Sequence, residues 1–400
     1  MYPVLHCSTR GNTMTGGRPM VQVIGDGMNG DWLTWCWNRP DEPMRVHRTS
    51  GLAEPLRRFH AALPSAHVVA LEDLRLDGPL RRFDSEYRVM RDLAQALLPA
   101  ELVEQLLAAS ERIDLRVMPS PPLARIPWGL LPIDGDRRLV EVADVSWIAP
   151  ILPRDTAADP PPPRNHAKGA PLYLLDPIVT TMQQLVWDTL TPAAWGAQRP
   201  GAVRMPRLST DLAFLAGLND DISRIFLVGH ASRTSERPGE VDFLIGQGRL
   251  SAADLLLRDV KVPPRAAIVA CASGTDLEDS EPLGLATGLL LRGADTVQAT
   301  LWPLPTDHAL AQRDAAGGFL ELVGAFDEAQ ESDDPTAALC QYQVKRLRAW
   351  REKPMLRNSP IVWGAAMTLI APRERHLSSA ESTLTADDIA RDHQGPRPSH

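Results

Sequence analysis

Short apolar segments alternate with amphipathic ones in the second half of the chain, and this alternation constrains the fold most strongly. Residues 222–228 and 266–270 are short and rich in branched or small apolar side chains, whereas residues 250–257 and 335–351 have helical spacing. Strands that alternate with helices are typical of crossover units, which build a mostly parallel sheet with both faces covered. The sequence therefore predicts an α/β fold.

A proline-rich, charged stretch divides the chain. Residues 152–170 include four consecutive prolines and few apolar side chains, so we interpret them as an exposed linker. The predicted organisation is, in chain order, an N-terminal extension with a small hairpin unit (1–85), an upstream segment (86–151), the linker (152–170), the main domain (171–372) and a disordered tail (373–400).

Composition and pattern exclude several classes of function. The net charge of −8 provides no basic field for nucleic acid. No stretch reaches the roughly 18 apolar residues that span a bilayer, and residues 1–19 lack the apolar core of a secretion signal. The four cysteines lack zinc-site spacing, and we expect reduced thiols. We therefore expect a cytoplasmic protein with no metal, cofactor, membrane contact or direct nucleic-acid partner.

Two of the predicted strands lead into reactive side chains. Residues 222–228 lead to His230, and residues 266–270 lead to Cys271. Ligands of open α/β sheets bind beyond the carboxyl ends of the strands, so neighbouring parallel strands would place these two side chains together. An imidazole can raise the nucleophilicity of a nearby thiol. The backbone N–H groups of Ala231 and Cys271 are candidates for the oxyanion hole that such chemistry needs.

Each of these residues also has a simpler interpretation. A cysteine that ends an apolar strand is usually a small buried side chain. A histidine after a strand is usually a polar residue with an ordinary hydrogen-bond partner. Neither residue alone indicates catalysis, whereas their occurrence at two strand ends, each close to a glycine, points to a catalytic pair.

Four further residues are candidates for substrate binding. Asp176 ends the first strand after the linker and so should lie on the same sheet edge, where it either binds a basic side chain of a substrate or caps a turn. Asp276 belongs to an acidic loop that either favours cationic substrates or is simply solvated. Ser273 is a candidate for orienting that loop. Trp302 either lines the pocket or packs in the core.

Several segments of the chain occur in the order found in one known family. They are FLVGHA at 226–231, IVACASG at 268–274, GLA at 284–286 with LRGA at 291–294, VQATLWP at 297–303 and SPIVWGA at 359–365. These segments resemble the motifs of the CHAT family of caspase-like proteins. Residues 123–131 and 172–177 resemble its upstream segments, so the resemblance covers about residues 97–372.

The resemblance implies a caspase-like three-layer fold with a mostly parallel sheet, preceded by a smaller N-terminal α/β segment. It also implies peptide-bond hydrolysis through a thioacyl intermediate, with His230 and Cys271 as the dyad. Two departures bear on these expectations. Ala231 stands where many relatives have glycine, which leaves the oxyanion donor there open. No helical-repeat array precedes the domain, so the usual partner-sensing module is absent or replaced by residues 21–50.

The function implied by the resemblance is that of a cysteine endopeptidase in bacterial defence or cell death. Its expected partners are a protein substrate and an activating or sensor protein. A catalytically silent caspase-like scaffold that recruits partners is the alternative from another class. A thiol hydrolase that acts on a non-peptide acyl substrate is a third hypothesis.

Overall fold

The computed structural model describes thirteen stretches of the chain, which carry every structural statement below. They are residues 18–27, 30–39, 42–64, 78–149, 169–179, 199, 201–205, 221–233, 241–246, 248–258, 260, 262–270 and 284–372. The predicted tail and nearly all of the predicted linker lie outside these residues, as do residues 208–218, whose composition suits a helix.

Sixteen strands are found within the described residues. They are β1 (Met20–Asp26), β2 (Trp32–Trp37), β3 (Arg45–Arg48), β4 (Ile113–Met118), β5 (Pro132–Asp134), β6 (Arg137–Arg138), β7 (Ala143–Ile148), β8 (Ala170–Leu175), β9 (Val203–Arg204), β10 (Ile222–Val228), β11 (Ala231–Arg233), β12 (Val241–Ile245), β13 (Gly248–Leu250), β14 (Arg265–Val269), β15 (Thr296–Thr300) and β16 (Ala366–Ile370).

Ten α-helices are found in the same part of the chain. They are α1 (Ala53–Ala62), α2 (Phe83–Leu97), α3 (Ala100–Ala108), α4 (Leu139–Val142), α5 (Ala252–Leu257), α6 (Leu285–Leu291), α7 (Asp307–Ala311), α8 (Gly318–Glu331), α9 (Pro335–Glu352) and α10 (Pro360–Trp363). Short 3₁₀ turns occur at Pro79–Arg81, Pro121–Leu123, Trp128–Leu130 and Leu356–Asn358.

Eleven of these strands form one sheet in the order β3-β2-β1-β4-β7-β16-β15-β14-β10-β8-β9. Most neighbours are parallel, and the antiparallel pairs are β1–β2, β2–β3 and β15–β16. The upstream segment therefore contributes its strands to the same sheet as the main domain, through the parallel pair β7–β16. The predicted α/β fold with a mostly parallel sheet is confirmed.

Burial along the strands shows how the sheet is covered. Every residue of β7 and of β14 is buried, so both faces of the central strands are covered, as expected in a parallel sheet. Helix α8 packs on β10 and β14, α9 packs on β7 and β16, and α6 packs on β15. In contrast, β1, β2 and β4 alternate between buried and more accessible residues, so only one face of the N-terminal strands is covered to the same extent.

A buried ion pair fixes α2 to the turn that precedes α4. Arg138 Nη2 donates to Glu86 Oε2 over 2.9 Å, and both side chains are fully buried. Burial raises the pKa of Glu86, and the charge of Arg138 opposes this rise. Removal of either partner alone would leave the other as an uncompensated buried charge.

Several local predictions are wrong. The spacing of residues 307–323 predicts a single helix, but the structure has two helices there, because Asp314 and Gly317 take positive φ angles between α7 and α8. The composition of residues 139–148 and 361–370 predicts strands, but a short helix, α4 or α10, occupies the start of each segment. The near-alternate spacing of Trp32, Trp35 and Trp37 predicts one shared apolar face, but Trp32 faces away from the buried side of β2, which carries the other two.

The four cysteines were expected to be reduced thiols, and two of them fall within described strands or helices. Cys36 on β2 is disulfide-bonded, so the expectation is wrong at that position. Cys340 on α9 is a free, buried thiol, and burial raises its pKa to about 12.

Candidate functional site

His230 lies where β10 leaves the sheet. The strand ends at Val228, and β11 begins at Ala231, so the histidine occupies the turn between two strands of different sheets. Its side chain is half-buried. Its carbonyl oxygen accepts a hydrogen bond from the Leu244 N–H over 2.8 Å, which ties the turn to β12. The predicted position of His230 at a strand's carboxyl end is therefore observed.

Gly229 lets the chain pass closely beneath an aromatic ring just before His230. A Cβ atom at this position would lie 2.6 Å from Cζ of Phe243 and 3.1 Å from Cδ of Pro177. Contacts below 3.0 Å force a neighbour to move, and the Phe243 ring is itself fully buried. The Gly229 N–H also donates to the Val269 carbonyl over 3.2 Å. Close packing thus requires glycine at this position, and the hydrogen bond from its N–H holds the histidine turn against β14.

The backbone of Ala231 is oriented by the pairing of β11 with β12. Ala231 lies opposite Phe243 in this antiparallel pair. The preceding bond, from Leu244 N–H to the His230 carbonyl, makes residues 230 and 244 a hydrogen-bonded pair. Because such pairs alternate along an antiparallel ladder, the Ala231 N–H points away from β12. An oxyanion donor must not be hydrogen-bonded to a neighbouring strand, and the Ala231 N–H meets this requirement with respect to β12.

Strand β14 lies beside β10 in parallel register, with Val228 opposite Val269. Ala270 follows β14 and is buried, and its carbonyl oxygen accepts a hydrogen bond from the Thr300 hydroxyl of β15 over 2.5 Å. The predicted nucleophile Cys271 comes next in the chain. Cys271 and the predicted substrate contacts Ser273 and Asp276 lie outside the described residues.

Asp176 stands at the same edge of the sheet, one strand further along. It follows β8, whose last residue Leu175 lies opposite Val228 of β10. The Asp176 N–H donates to the Val228 carbonyl over 2.6 Å, and the residue is 4% exposed. Its φ of 47° is in the left-handed region, which aspartate tolerates better than most residues. Asp176 is therefore at the predicted edge, next to the histidine turn.

Trp302 has an interior position. Its side chain is fully buried, and its indole N–H donates to the Ile361 carbonyl over 2.9 Å. These contacts favour the core-packing interpretation over a place in a pocket wall. Asp307, interpreted as a cap of the next helix, instead accepts bonds from the N–H groups of Phe319 and Leu320 at the start of α8, and Thr306 caps α7.

A buried polar network supports the strands beneath the edge. The Tyr173 hydroxyl on β8 donates to Asp327 Oδ1 of α8 over 2.7 Å, and Arg224 of β10 donates to the same oxygen over 2.9 Å. Arg199 Nη2 reaches the other carboxylate oxygen over 3.0 Å. Burial is the main cause that raises the pKa of Tyr173 to about 12, so it stays a neutral donor. The network holds β8 and β10 at a fixed position on α8.

Sequence reasoning missed two residues that shape this edge, Thr300 and Phe243. Thr300 is part of the segment 297–303 that resembles a family motif, but its contact with the residue after the neighbouring strand is not encoded locally. In the described part of the chain, no three His, Cys, Asp or Glu residues are grouped as a metal site would require. No described helix has the length and apolar character needed to cross a bilayer.

Comparison with known proteins identifies a protein family that this chain matches. A CHAT domain match covers residues 87–372, well over half of the chain. No curated protein matches the chain. Among solved structures, a Saccharomyces cerevisiae separase–securin complex at 2.6 Å is similar to this chain, with 11% identity, a TM-score of 0.48 and 88% of this chain covered. A structure of the same complex at 3.0 Å has 14% identity, a TM-score of 0.38 and 82% coverage. This chain spans 30% and 23% of those two chains.

Proposed function

The chain belongs to the CHAT domain family, and we propose that it is a cysteine endopeptidase with His230 as general base and Cys271 as nucleophile. The parallel register of β10 and β14 is the observation that carries the proposal. Val228 lies opposite Val269, and each candidate follows its strand's paired residue by two positions in the chain. Equal spacing beyond a shared register favours a short distance between imidazole and thiol at this edge.

The proposed reaction proceeds through a thioacyl intermediate. His230 takes the thiol proton as the sulfur of Cys271 bonds to the substrate carbonyl carbon. The N–H groups of Ala231 and Cys271 donate to the oxygen on which negative charge develops. The imidazolium then protonates the leaving amine as the peptide C–N bond breaks, and water hydrolyses the thioester to free the acid. The outward N–H of Ala231 supports the first of these two donors.

Asp176 supports a narrower proposal about specificity. A carboxylate that is almost fully buried at the edge beside His230 would pair with a basic P1 side chain of the substrate. We therefore propose cleavage after Arg or Lys, with loss of this preference in Asp176→Asn, a change that keeps a residue tolerant of left-handed backbone.

The biological setting is also part of the proposal. A role in bacterial defence or cell death, a cytoplasmic location and an activating or sensor partner rest on the family resemblance.

Cleavage-site profiling of the full-length protein on a proteome-derived peptide library tests the proposal. Wild type and Cys340→Ala, which changes a buried cysteine of α9, should cleave, and Cys271→Ala and His230→Ala should not. The double dyad variant should lose little more than either single one, because the two residues act as a unit. Full activity of Cys271→Ala would refute the assignment.

If neither the wild type nor any variant cleaves a peptide, thiol labelling distinguishes a latent peptidase from a catalytically silent scaffold. Iodoacetamide near neutral pH should modify Cys271 faster in wild type than in His230→Ala, because the imidazole assists ionisation. Cys340, whose pKa is raised to about 12, should remain unmodified and serves as the internal control. Labelling of Cys271 that does not depend on His230 would support the scaffold.

A further inference from the structure

An exposed apolar patch lies on the hairpin β2–β3, far along the sheet from His230. Seven large apolar side chains are exposed among the described residues, and three of them are found here: Trp32 (43%), Met44 (53%) and Val46 (59%). In the register of this antiparallel pair, Trp32 lies opposite Arg48 and Thr34 lies opposite Val46. Trp32, Val46 and Arg48 therefore share one face of the hairpin, which we call the outer face. Such clusters on a protein surface usually mark an interaction site.

The same hairpin carries an open sheet edge. In the described residues β3 is the end strand of the eleven-stranded sheet, with β2 as its neighbour. The Thr49 N–H donates to the Asp31 carbonyl over 2.9 Å, which sets the alternation of hydrogen bonds along the pair. Residues 45 and 47 are therefore bonded to β2, and the N–H and C=O groups of Val46 and Arg48 point away from it. This row of outward donors and acceptors is a template for one more strand.

The charges of β3 define what kind of strand would fit. Residues 43–50 include Arg45, His47 and Arg48 and no acidic residue. Arg45 is paired with Glu101, whereas Arg48 lies 5.8 Å from the Trp32 ring, a cation–π contact that leaves its charge accessible. An acidic segment would be attracted to this edge. A second copy of the chain, added antiparallel, would bring the same basic residues of β3 face to face, which is unfavourable.

The hairpin lies outside the region that matches the family. Strands β1, β2 and β3 all precede residue 87, where the CHAT domain match begins. They nevertheless continue the family sheet, because β1 pairs in parallel with β4 through five residue pairs. The open edge is thus carried by this chain's own extension and is attached to the sheet that holds β10 and β14.

We propose that the open edge of β3, together with the outer face, binds an extended acidic segment of a partner protein as an added strand. Main-chain hydrogen bonds to Val46 and Arg48 provide affinity, as in other cases of strand addition. Along the outer face, an apolar side chain of the bound segment lies beside Val46 and a carboxylate lies beside Arg48. The proposal does not depend on the peptidase activity.

Fluorescence anisotropy with the full-length protein tests this site. The probes are two labelled peptides of about ten residues with Thr at every second position; the other positions, which share one strand face, alternate between Val and Glu in one peptide and between Val and Lys in the other. The Glu peptide should bind saturably and the Lys peptide should not.

Two variants test the edge itself. Val46→Pro removes one outward N–H and is tolerated at an edge, and Arg48→Glu reverses the charge. Each should raise the Kd about tenfold, whereas Arg57→Glu on neighbouring α1 should leave it unchanged.

Several outcomes would overturn the proposal. Equal binding of both peptides, no saturable binding of the Glu peptide, or binding insensitive to both Val46→Pro and Arg48→Glu would each exclude an acidic added strand. Binding that appears only after removal of residues 1–17 or 373–400 would assign the edge to the chain's own segment. A wild-type dimer in sedimentation that Val46→Pro dissociates would assign it to a second copy. Circular dichroism confirms that each variant is folded.

Discussion

Thr300→Val tests whether β15 positions the peptide unit that carries the proposed nucleophile. The Thr300 hydroxyl donates to the Ala270 carbonyl over 2.5 Å. A carbonyl and the N–H that follows it belong to one planar trans peptide and point in opposite directions. The bond from Thr300 fixes the direction of the Ala270 carbonyl, and we therefore expect it to influence the other end of the same peptide unit, the N–H that is proposed as an oxyanion donor. Valine has nearly the same shape as threonine and cannot donate this bond.

Burial sets the size of the effect. Thr300 is fully buried and Ala270 is 3% exposed, so water cannot readily replace the lost donor. A buried carbonyl left without its partner costs about 1–3 kcal/mol of stability. Complete loss of an oxyanion donor lowers kcat by about 10²–10³. A donor that is misdirected rather than lost should have a smaller effect, and we expect kcat to fall by about tenfold with KM unchanged.

Thr300→Ser is the matched control, because it keeps the hydroxyl and removes a buried methyl group. Its stability should fall by about 1 kcal/mol through the small cavity, and its kcat should stay close to wild type. Urea unfolding and steady-state kinetics on a substrate found by profiling provide the two measurements. Unchanged kcat in Thr300→Val, or an equal fall of kcat in both variants, would refute a positioning role.

Two further substitutions test the packing around the site and beneath it. Gly229→Ala should lower the free energy of unfolding by about 1–3 kcal/mol and should lower kcat, because its Cβ would lie 2.6 Å from the Phe243 ring. The double variant Gly229→Ala with Phe243→Leu should recover part of both losses, as measured by thermal melts and kinetics. Glu86→Gln should destabilise by about 3–5 kcal/mol in urea unfolding, because Arg138 then keeps a buried charge without its counterion, whereas Glu86→Leu with Arg138→Met should be nearly neutral. A double variant less stable than Glu86→Gln would contradict this reasoning.

Local sequence patterns correctly predicted the elements that are determined by interactions between residues close together in the chain. Apolar and polar residues alternate at 113–118, which predicts a strand with one covered face, and β4 has these bounds. The position of Ser251 directly before a helical segment predicts an N-cap, and its hydroxyl accepts a bond from the Asp254 N–H over 3.2 Å at the start of α5. In both cases the interactions that decide the structure lie within a few residues.

Features that depend on distant neighbours were not predictable in the same way. The helical spacing of residues 307–323 continues through the positive φ angles at Asp314 and Gly317, and the break brings the start of α8 against Asp307, which caps it. The pairing of β16 with β7 joins segments more than two hundred residues apart, and no local pattern specifies which strand will pair with which. The continuous sheet across both halves of the chain could therefore not be derived from periodicity.

The candidate site shows the same division between local and distant determinants. The rule that functional side chains follow the carboxyl ends of parallel strands was enough to place His230 and Asp176 at one edge, because strand ends can be read from the sequence. The proposed oxyanion donors depend on other elements. The orientation of Ala231 N–H is set by β12, and the peptide after Ala270 is held by Thr300 of β15. A pair of catalytic candidates can thus be predicted from two strand ends, whereas the directions of the proposed donors depend on contacts with β12 and β15 that local patterns do not specify.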